Sequence, residues 1–242
     1  MTTPDDIRTY VINLPRRRDR REWMERSVPP ELRAAYTSDW HGPFDGHDLT
    51  IADLDLAGYK LFPWQINSSN PWWSRPLKYG EIACTLAHLA CWRDARSGAE
   101  PFVLILEDDA ILPADFLNQL LTTLGRLAAL ENFDLLYLGR VPLEADQPTS
   151  IPGLVVPGYS HCTFGYLLTR KSLDVLLDAD LEHAIVPVDE FLPALYIEHP
   201  RTDLRARFPG RFNAVACEPP LVRQRSKNEA GSDTEDSAFV ER

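Results

Sequence analysis

The 242-residue chain lacks any run of apolar residues close to the roughly 20 that a transmembrane helix needs. Residues 1–6 also lack the basic and apolar regions of a secretory signal peptide. Together these absences predict a cytoplasmic protein without a transmembrane segment. They leave peripheral contact with a membrane open.

Cysteine is scarce, with four residues and no CxxC pair. Cys84 and Cys91 are seven positions apart, which is about two turns of a helix and too far for a direct disulfide. The sequence therefore predicts reduced, mostly buried thiols. The histidines of 39–47 are spaced too irregularly for a zinc site.

Positive charge is in short supply, since 25 Lys and Arg face 36 Asp and Glu and the net charge is −11. Binding to a phosphate backbone needs an accumulated positive surface. The charge balance therefore excludes nucleic acid as the main partner and disfavours broad electrostatic attachment to an anionic membrane. It is compatible with local basic patches.

What the chain does contain is a succession of strand and helix patterns, with 44% hydrophobic residues to build a core. Strands that alternate with helices are typical of an α/β/α sandwich around a mixed, mostly parallel sheet. The predicted strands cover 10–14, 102–106, 133–138 and 164–169, and the predicted helices cover 15–24, 81–96, 114–130 and 171–177.

These elements predict one domain over 1–226. Residues 36–78 are weakly periodic but hold four of the six tryptophans, which indicates a packed functional loop. Residues 141–160 are rich in Pro and Gly and predict a loop with one short strand. The polar, acidic segment 227–242 predicts a mobile C-terminal tail.

The most informative segment is 103–109, where four aliphatic residues end in Glu107, Asp108 and Asp109. Such a run is typical of a strand covered on both faces. Three adjacent carboxylates repel one another, and their oxygen atoms suit Mg²⁺ or Mn²⁺. Ligands also gather beyond the carboxyl ends of strands in α/β sheets. The alternative is a helix N-terminus, which accounts for one or two of the acids.

An arginine-rich segment, 16–21, follows the first strand. Arginines at a helix N-terminus oppose the helix dipole unless an anion is present. A phosphate at this position would meet backbone N–H groups and guanidinium groups together. The alternative is a solvated basic face, but the position directly after the first strand, in a chain of net charge −11, favours phosphate.

Two further segments carry ionisable groups of interest. Asp189 and Glu190 follow an apolar approach, and either one fits a general base or the first turn of a helix. His88 lies on a partly apolar helix face, where a histidine is more often packed than a ligand.

Taken together, the chain resembles glycosyltransferase family 25, the family of lipooligosaccharide and procollagen galactosyltransferases. The resemblance extends over nearly the whole chain, and its specificity lies in the order of the segments. These are 11–14 with 17–20, then 44–46, 80–88 with Trp92, 104–109, 134–139, 163–166, 188–189, and 219–224 continuing to 232–233.

The resemblance implies a GT-A-type domain that binds a UDP-sugar and Mn²⁺ or Mg²⁺. It implies Asp109 as the most direct metal ligand, with Glu107 and Asp108 reaching the metal or the donor. The donor-binding residues it implies are Asn13, Leu14, Arg17, Arg20, Glu81, His88, Glu107 and Asp108.

The implied reaction transfers a hexose, galactose or glucose, to a hydroxyl of a glycan or another acceptor, with inversion. The acceptor attacks C1 opposite the departing diphosphate, through a transition state like that of glycosidases. Asp189 is the predicted base for the hydroxyl proton, with Glu190 in reserve. The tryptophans of 36–78 either stack on sugar rings or belong to the core.

Two other functions compete with this interpretation. A nucleotide-sugar-binding protein without catalysis would keep the same acids but lack a working acceptor site. A metal-dependent phosphoesterase would also use clustered carboxylates. Two-metal phosphoesterases need further acids and histidines at several strand ends, and the sequence offers no clear set.

Overall fold

A computed structural model describes residues 2–128, 132–210 and 212–241. Within these residues the strands are β1 (Ile7–Ile12), β2 (Ala35–Tyr36), β3 (Phe102–Glu107), β4 (Ala110–Ile111), β5 (Leu135–Pro142), β6 (Gln147–Pro148), β7 (Leu154–Val156), β8 (Ser160–Thr169), β9 (Ala214–Cys217) and β10 (Arg223–Gln224). The α-helices are α1 (Arg18–Ser27), α2 (Ile51–Leu56), α3 (Tyr79–Ser97), α4 (Phe116–Leu127), α5 (Ser172–Asp178), α6 (Val188–Ala194), α7 (Thr202–Arg207) and α8 (Lys227–Ala230).

Eight strands form the central sheet in the order β2-β1-β3-β8-β5-β9-β7-β6, while β4 and β10 form a separate antiparallel pair. The pairing pattern gives β7 and β8 one direction and the other six strands the opposite one. The sheet is therefore mixed and mostly parallel, as predicted.

Each face of the sheet carries its own apolar core, because successive residues of a strand point to opposite faces. In β3, Val103 and Ile105 pack with α3, α5, α6 and α7 on one face. Leu104 and Leu106 pack with α1 and α4 on the other face. This arrangement confirms the predicted α/β/α sandwich, consistent with a GT-A-type domain.

Parallel pairing of β1 and β3 brings two functional segments to the same edge of the sheet. The register pairs Ile12 with Glu107, so that Asn13 and Asp108 follow the ends of neighbouring strands. Strand β8 runs antiparallel to β3 and pairs Gly165 with Leu106, which brings the first residues of β8 to this edge as well.

Most predicted elements are confirmed with small shifts at their ends. Helix 81–96 is observed as Tyr79–Ser97 and strand 102–106 as Phe102–Glu107. Helix 114–130 is observed as Phe116–Leu127, and its predicted last residues, 129–130, lie outside the described part of the chain. The prediction of a single short strand within 141–160 is wrong, since β6 and β7 both lie there.

Residues 227–241, predicted as a mobile tail, lie against the domain. The Ser237 hydroxyl accepts a hydrogen bond from the backbone N–H of Gly80 at 2.8 Å. The Val240 N–H donates to the Leu77 carbonyl at 2.8 Å, and Val240 is buried in the core around α3. The contacts therefore join this segment to the domain, and its mobility stays a prediction.

All four cysteines are free thiols in the structure. Among the described helices, none combines the length and the apolar character needed to cross a membrane.

Candidate active site

A cavity of about 290 Å³ opens at the edge where β1 and β3 end. The start of α3, the start of α6 and the C-terminal segment complete its walls. Nine of the eleven residues predicted for the site line this cavity, namely Asn13, Leu14, Arg20, Glu81, Glu107, Asp108, Asp109, Asp189 and Glu190. Arg17 and His88 are not among the lining residues.

Asp108 holds the first strand and the first helix to the edge of the sheet that carries the acid cluster. Its Oδ1 atom accepts a hydrogen bond from Arg20 Nη1 at 2.6 Å, and its Oδ2 atom accepts one from Asn13 Nδ2 at 2.8 Å. Burial raises the pKa of Asp108, although Arg20 and Asn13 oppose that shift. Both carboxylate oxygens are engaged, so the structure favours a positioning role for Asp108 over the predicted role in metal binding.

Asp109 is the carboxylate with spare coordinating capacity. It is 8% exposed, and its Oδ1 atom is buried without a hydrogen-bond partner in the described residues. Its Oδ2 atom accepts from Gln224 Nε2 at 3.1 Å. Burial, together with the charges of Glu107 and Asp108, raises the pKa of Asp109 to about 7. A cation at this carboxylate would satisfy the orphaned oxygen and offset the repulsion.

Glu107 is fixed by a residue of the neighbouring strand. Its Oε1 atom accepts a hydrogen bond from Thr163 Oγ1 at 2.6 Å. The same oxygen lies 3.4 Å from His88 Nε2, which is long for a hydrogen bond. With Oε1 occupied in this way, Oε2 is the oxygen left for a ligand in the cavity.

His88 lies behind Glu107, and the predicted donor-binding role does not fit this position. The side chain is completely buried, with Nδ1 2.7 Å from the Tyr166 hydroxyl. The Trp92 indole, which can only donate, donates to the same hydroxyl at 3.0 Å. Tyr166 therefore directs its own proton to Nδ1, which leaves the proton of a neutral His88 on Nε2, facing Glu107.

This proton placement also bears on a second cluster. Ligand atoms of Cys84, His88 and Glu107 lie within 4.8 Å of one another, close enough to hold a metal. A protonated Nε2 has no lone pair for a metal. Burial also raises the pKa of the Cys84 thiol well above its usual value. In this hydrogen-bonded state His88 offers no nitrogen lone pair to a metal, and Thr163 is the residue that holds Glu107 by a hydrogen bond.

Tyr166→Phe tests the hydrogen-bond chain behind Glu107. It leaves the Trp92 N–H and His88 Nδ1 buried without partners, so we expect the free energy of unfolding to fall by about 1–3 kcal/mol. Tyr36→Phe is the control, because no group in the described residues hydrogen-bonds to the Tyr36 hydroxyl. Urea denaturation that gives the same loss for both variants would contradict the assignment.

Glu190 is a carboxylate held in its ionised form by several donors. It is 2% exposed and accepts hydrogen bonds from Trp73 Nε1 at 3.1 Å and from the Tyr159 hydroxyl at 3.0 Å. His199 Nε2 lies 2.9 Å and His161 Nε2 3.3 Å from its oxygens. Burial opposes ionisation, but the histidine hydrogen bonds outweigh it and lower the pKa of Glu190 to about 2. A carboxylate so stabilised is a poor base.

Asp189, its neighbour, has the opposite environment. It lines the cavity and is partly buried, and no described side chain donates a hydrogen bond to it. Burial raises the pKa of Asp189 to about 6, against the favourable charge of His161. The structure therefore separates two adjacent acids into an available proton acceptor and a fixed anion.

Three successive residues of β8, His161, Cys162 and Thr163, all line the cavity. Regular strand geometry would alternate them between the two faces. Cys162 has a φ of 65°, a left-handed conformation that is uncommon outside glycine. This local break in the strand lets β8 reach Glu190 through His161 and Glu107 through Thr163. Strained backbone of this kind concentrates at functional sites.

The arginine-rich segment meets a carboxylate from the C-terminal segment. Arg16 Nη1 and Arg17 Nη1 each lie 2.5 Å from an oxygen of Asp233, and Arg20 Nη2 lies 3.5 Å away. Arg16 also pairs with Asp45 at 2.5 Å. The segment therefore pairs with an internal carboxylate, Asp233, and its binding of phosphate stays a prediction. Arg17 does not line the cavity, and its guanidinium contacts the lining residue Asp233.

Glu81 caps α3 and holds Arg75. Its oxygens accept from the backbone N–H of Lys78 at 2.7 Å and from Arg75 Nη1 at 3.0 Å. It therefore shapes the cavity wall, and its predicted contact with the donor stays a prediction. Leu14 lines the cavity beside Asn13, whose side-chain oxygen has no partner in the described residues.

The tryptophans of 36–78 divide into two groups. Trp40 packs on Tyr10, Trp64 is 4% exposed, and Trp73 donates to Glu190. These three support the interior and the site. Trp72, in contrast, is 42% exposed and lines the cavity.

Sequence reasoning did not single out Thr163, Tyr166, Gln224 and the two histidines of the Glu190 cluster as site residues. Thr163 and Tyr166 belong to a recognised segment, but their partners are distant in the chain. Nothing in the sequence around His161 or His199 distinguishes them from surface histidines, so no local signal was available.

The chain was compared with known proteins. Residues 6–150 match the family model described as glycosyltransferase family 25 (LPS biosynthesis protein). Procollagen galactosyltransferase 1-A of Xenopus laevis is 34% identical over 219 residues, which cover 88% of this chain and 35% of the relative. Procollagen galactosyltransferase 1 of Danio rerio is 32% identical over the same shares of the two proteins.

A human relative described as inactive glycosyltransferase 25 family member 3 is 32% identical over 218 residues, covering 88% of this chain and 36% of the relative. The chain thus spans little more than a third of the length of these relatives. The match over most of the chain is nevertheless sufficient to establish its relationship. The chain belongs to glycosyltransferase family 25.

Proposed function

We propose that the chain is a metal-dependent, inverting glycosyltransferase that moves galactose or glucose from a UDP-sugar to a hydroxyl of a glycan. Family membership supports sugar transfer, and two of the relatives are named galactosyltransferases. The observation that carries the proposal is one cavity that contains two available acids. Asp109 has a buried oxygen without a hydrogen-bond partner, and Asp189 has no side-chain donor and a raised pKa.

The residues fit a hard divalent cation. Asp109 offers a buried oxygen without a partner, and Glu107 offers the oxygen that Thr163 does not occupy. An all-oxygen donor set suits Mn²⁺ or Mg²⁺. When bound there, the metal would supply Lewis-acid neutralisation of the charge that develops on the diphosphate.

The chain's own residues then have separate tasks. Asn13, Arg20 and Asp108 form a buried hydrogen-bonded unit that holds the end of β1 against the acid cluster. The cluster of Arg16, Arg17 and Arg20 provides positive charge for phosphate, which has to share it with Asp233 or displace that side chain. Asp189 accepts the proton of the attacking hydroxyl.

Glu190 supports this proton transfer without taking part in it. Its negative charge, fixed by Trp73, Tyr159 and two histidines, disfavours ionisation of Asp189 and so contributes to the raised pKa. A pKa near 6 makes a carboxylate a stronger base than in water while leaving it ionised at neutral pH. Asp189 and Glu190 therefore provide one general base and one fixed anion that raises the pKa of that base.

A nucleotide-sugar-binding protein without catalysis is the second candidate, because some relatives are described as inactive. Such a protein would retain the acid cluster and the arginines. It would not need a partly buried, unpaired acid beside a neighbouring acid, Glu190, that is fixed by hydrogen bonds. The geometry of Asp189 and Glu190 therefore favours the transferase.

Incubation with Mn²⁺ and a panel of nucleotide sugars tests the proposal. We expect release of UDP from UDP-galactose or UDP-glucose, loss of that release with EDTA, and transfer of hexose mass to a glycoside acceptor. Binding of UDP without turnover would support the binding protein. Cleavage of generic phosphodiesters would support a phosphoesterase.

The names of the relatives and of the family model bear on the acceptor class. Relatives are named for procollagen, and the matched family model is described by LPS biosynthesis. Both descriptions concern hydroxyl-bearing acceptors, and a glycan hydroxyl is the acceptor that we propose. The cytoplasmic location stays a prediction from the sequence.

A further inference from the structure

The exposed tryptophan at the cavity mouth has no structural task. Trp72 is 42% exposed, whereas the other tryptophans of 36–78 pack into the fold or donate to Glu190. Keeping so large an aromatic side chain in water forgoes the free energy of burying it. An aromatic surface in a cavity wall is a feature of ligand-binding sites.

The indole is held in place and is not a loose surface group. The guanidinium carbon of Arg75 lies 4.8 Å from the centre of the Trp72 ring. Glu81 holds that guanidinium through hydrogen bonds of 3.0 and 2.5 Å to its two oxygens. The backbone N–H of Trp72 donates to Asn70 Oδ1 at 2.9 Å, and its backbone carbonyl accepts from Trp64 Nε1 at 3.1 Å. These contacts tie down the backbone of Trp72 and place Arg75 against its ring.

Trp72 is connected through neighbouring residues to the proposed base, Asp189. The next residue, Trp73, donates its indole N–H to Glu190, which adjoins Asp189. The metal-binding edge is reached instead through Asn13 and Arg20, which bind Asp108. The Trp72 ring also contacts Arg75, whose partner Glu81 acts by its charge on Asp189, so a group resting on Trp72 shares the cavity with the acid that accepts the hydroxyl proton.

We propose that Trp72 is an acceptor subsite, a platform on which one pyranose ring of the glycan stacks. The C–H face of a hexopyranose is apolar and flat enough to cover an indole, while its hydroxyls point outward to polar neighbours. Arg75 and Glu81 provide such polar groups at the same rim. The subsite rests on the proposed function, since it identifies the acceptor as a carbohydrate.

Saturation-transfer NMR with methyl β-D-galactopyranoside and methyl β-D-glucopyranoside tests the subsite without donor or turnover. We expect Trp72→Ala to weaken binding of the better glycoside about tenfold, which corresponds to about 1.4 kcal/mol. Trp72→Phe keeps an aromatic face and is expected to stay within about threefold of the wild type. The Kd for UDP should not change in either variant.

Phe239→Ala is the matched control. Phe239 is 43% exposed and lies 5.5 Å from the same Arg75 guanidinium, but it does not line the cavity. We expect glycoside binding by this variant to equal that of the wild type. An equal loss in Phe239→Ala and Trp72→Ala would mean that the effect passes through Arg75, and would overturn the subsite.

Other outcomes separate the subsite from the function. Unchanged glycoside binding in Trp72→Ala overturns the subsite even if the protein is an active transferase. Weakened UDP binding in Trp72→Ala assigns the indole to the nucleotide and also overturns it. Glycoside binding that depends on Trp72 in a protein that transfers no sugar retains the subsite and rejects the proposed reaction.

Discussion

Asp189→Asn is expected to lower kcat by about 10²- to 10⁴-fold, the usual contribution of a general base. The amide cannot accept the acceptor's proton, yet it has nearly the same shape and keeps its place beside Glu190. The Kd for UDP with Mn²⁺ should therefore stay close to the wild-type value. Steady-state kinetics with isothermal titration calorimetry of UDP separates the two effects.

The pH dependence sharpens this expectation, because the pKa of Asp189 is raised to about 6. In the wild type kcat/KM should rise as pH increases through about 6, where the carboxyl of the free enzyme loses its proton. Asp189→Asn should lack that limb. Since the folded pKa lies above the ordinary value of 3.8, ionisation disfavours the folded state, and the contribution of this group to stability falls between about pH 4 and 6.

Glu190→Gln provides the contrasting variant. Its loss of charge disrupts hydrogen bonds from Trp73, Tyr159 and the two histidines, so we expect lower thermal stability and only an indirect loss of activity. The pH limb near 6 should persist, shifted downward because a neighbouring negative charge is gone. Disappearance of the limb in Glu190→Gln and its persistence in Asp189→Asn would assign the base to Glu190.

Asp109→Asn is expected to remove the Mn²⁺ dependence of UDP binding and to lower kcat/KM by about 10²- to 10³-fold, equivalent to several kcal/mol of lost electrostatic stabilisation. The variant loses the buried oxygen that has no partner. Without metal, however, it should be more stable than the wild type, because repulsion with Glu107 and Asp108 is relieved. Few inactivating changes in a buried site raise stability.

Thermal denaturation with and without Mn²⁺ checks both parts. The wild type should melt at a higher temperature when Mn²⁺ is added, and Asp109→Asn should not respond. Asp115→Asn is the control, since Asp115 is exposed and its Oδ1 accepts a hydrogen bond from Gln119 outside the cavity. A Mn²⁺ response in Asp109→Asn equal to that of the control would contradict the assigned ligand.

The strand β3 and the acid cluster could both be predicted from the sequence because they lie in one continuous segment, 103–109. A strand with both faces buried is a continuous apolar run, so β3 and its end were recognisable in 103–109. Once the end of β3 is known, the position of Glu107, Asp108 and Asp109 at the edge of the sheet follows. Parallel pairing with β1 then brings Asn13 to the same edge.

The roles within the cluster depend on partners that are distant in the chain. His88 is separated by 78 residues from Tyr166, whose hydroxyl directs the histidine proton toward Glu107. Asp189 and Glu190 are chemically similar neighbours, and contacts of Glu190 with Trp73, Tyr159 and two histidines make them different; Trp73 is 117 residues away in the chain. Patterns within a short stretch of sequence do not indicate such long-range contacts.

The C-terminal segment makes contacts that its composition does not reveal. Its acidic, polar residues predict a solvated tail, because charged segments of low hydrophobicity do not form cores. Asp233, however, meets Arg16 and Arg17, whose charges would otherwise repel one another. The complementary charge lies more than 200 residues earlier, and only the folded structure brings the two together.

The anomeric configuration of the product tests the central claim most directly. With Mn²⁺, an α-linked UDP-hexose and a glycoside acceptor, proton NMR of the product should show a β-linked hexose, because Asp189 activates a hydroxyl that attacks opposite the diphosphate. An α-linked product would contradict the in-line displacement with a single base. Formation of free hexose alone, with no transfer to any glycoside, would contradict the transferase.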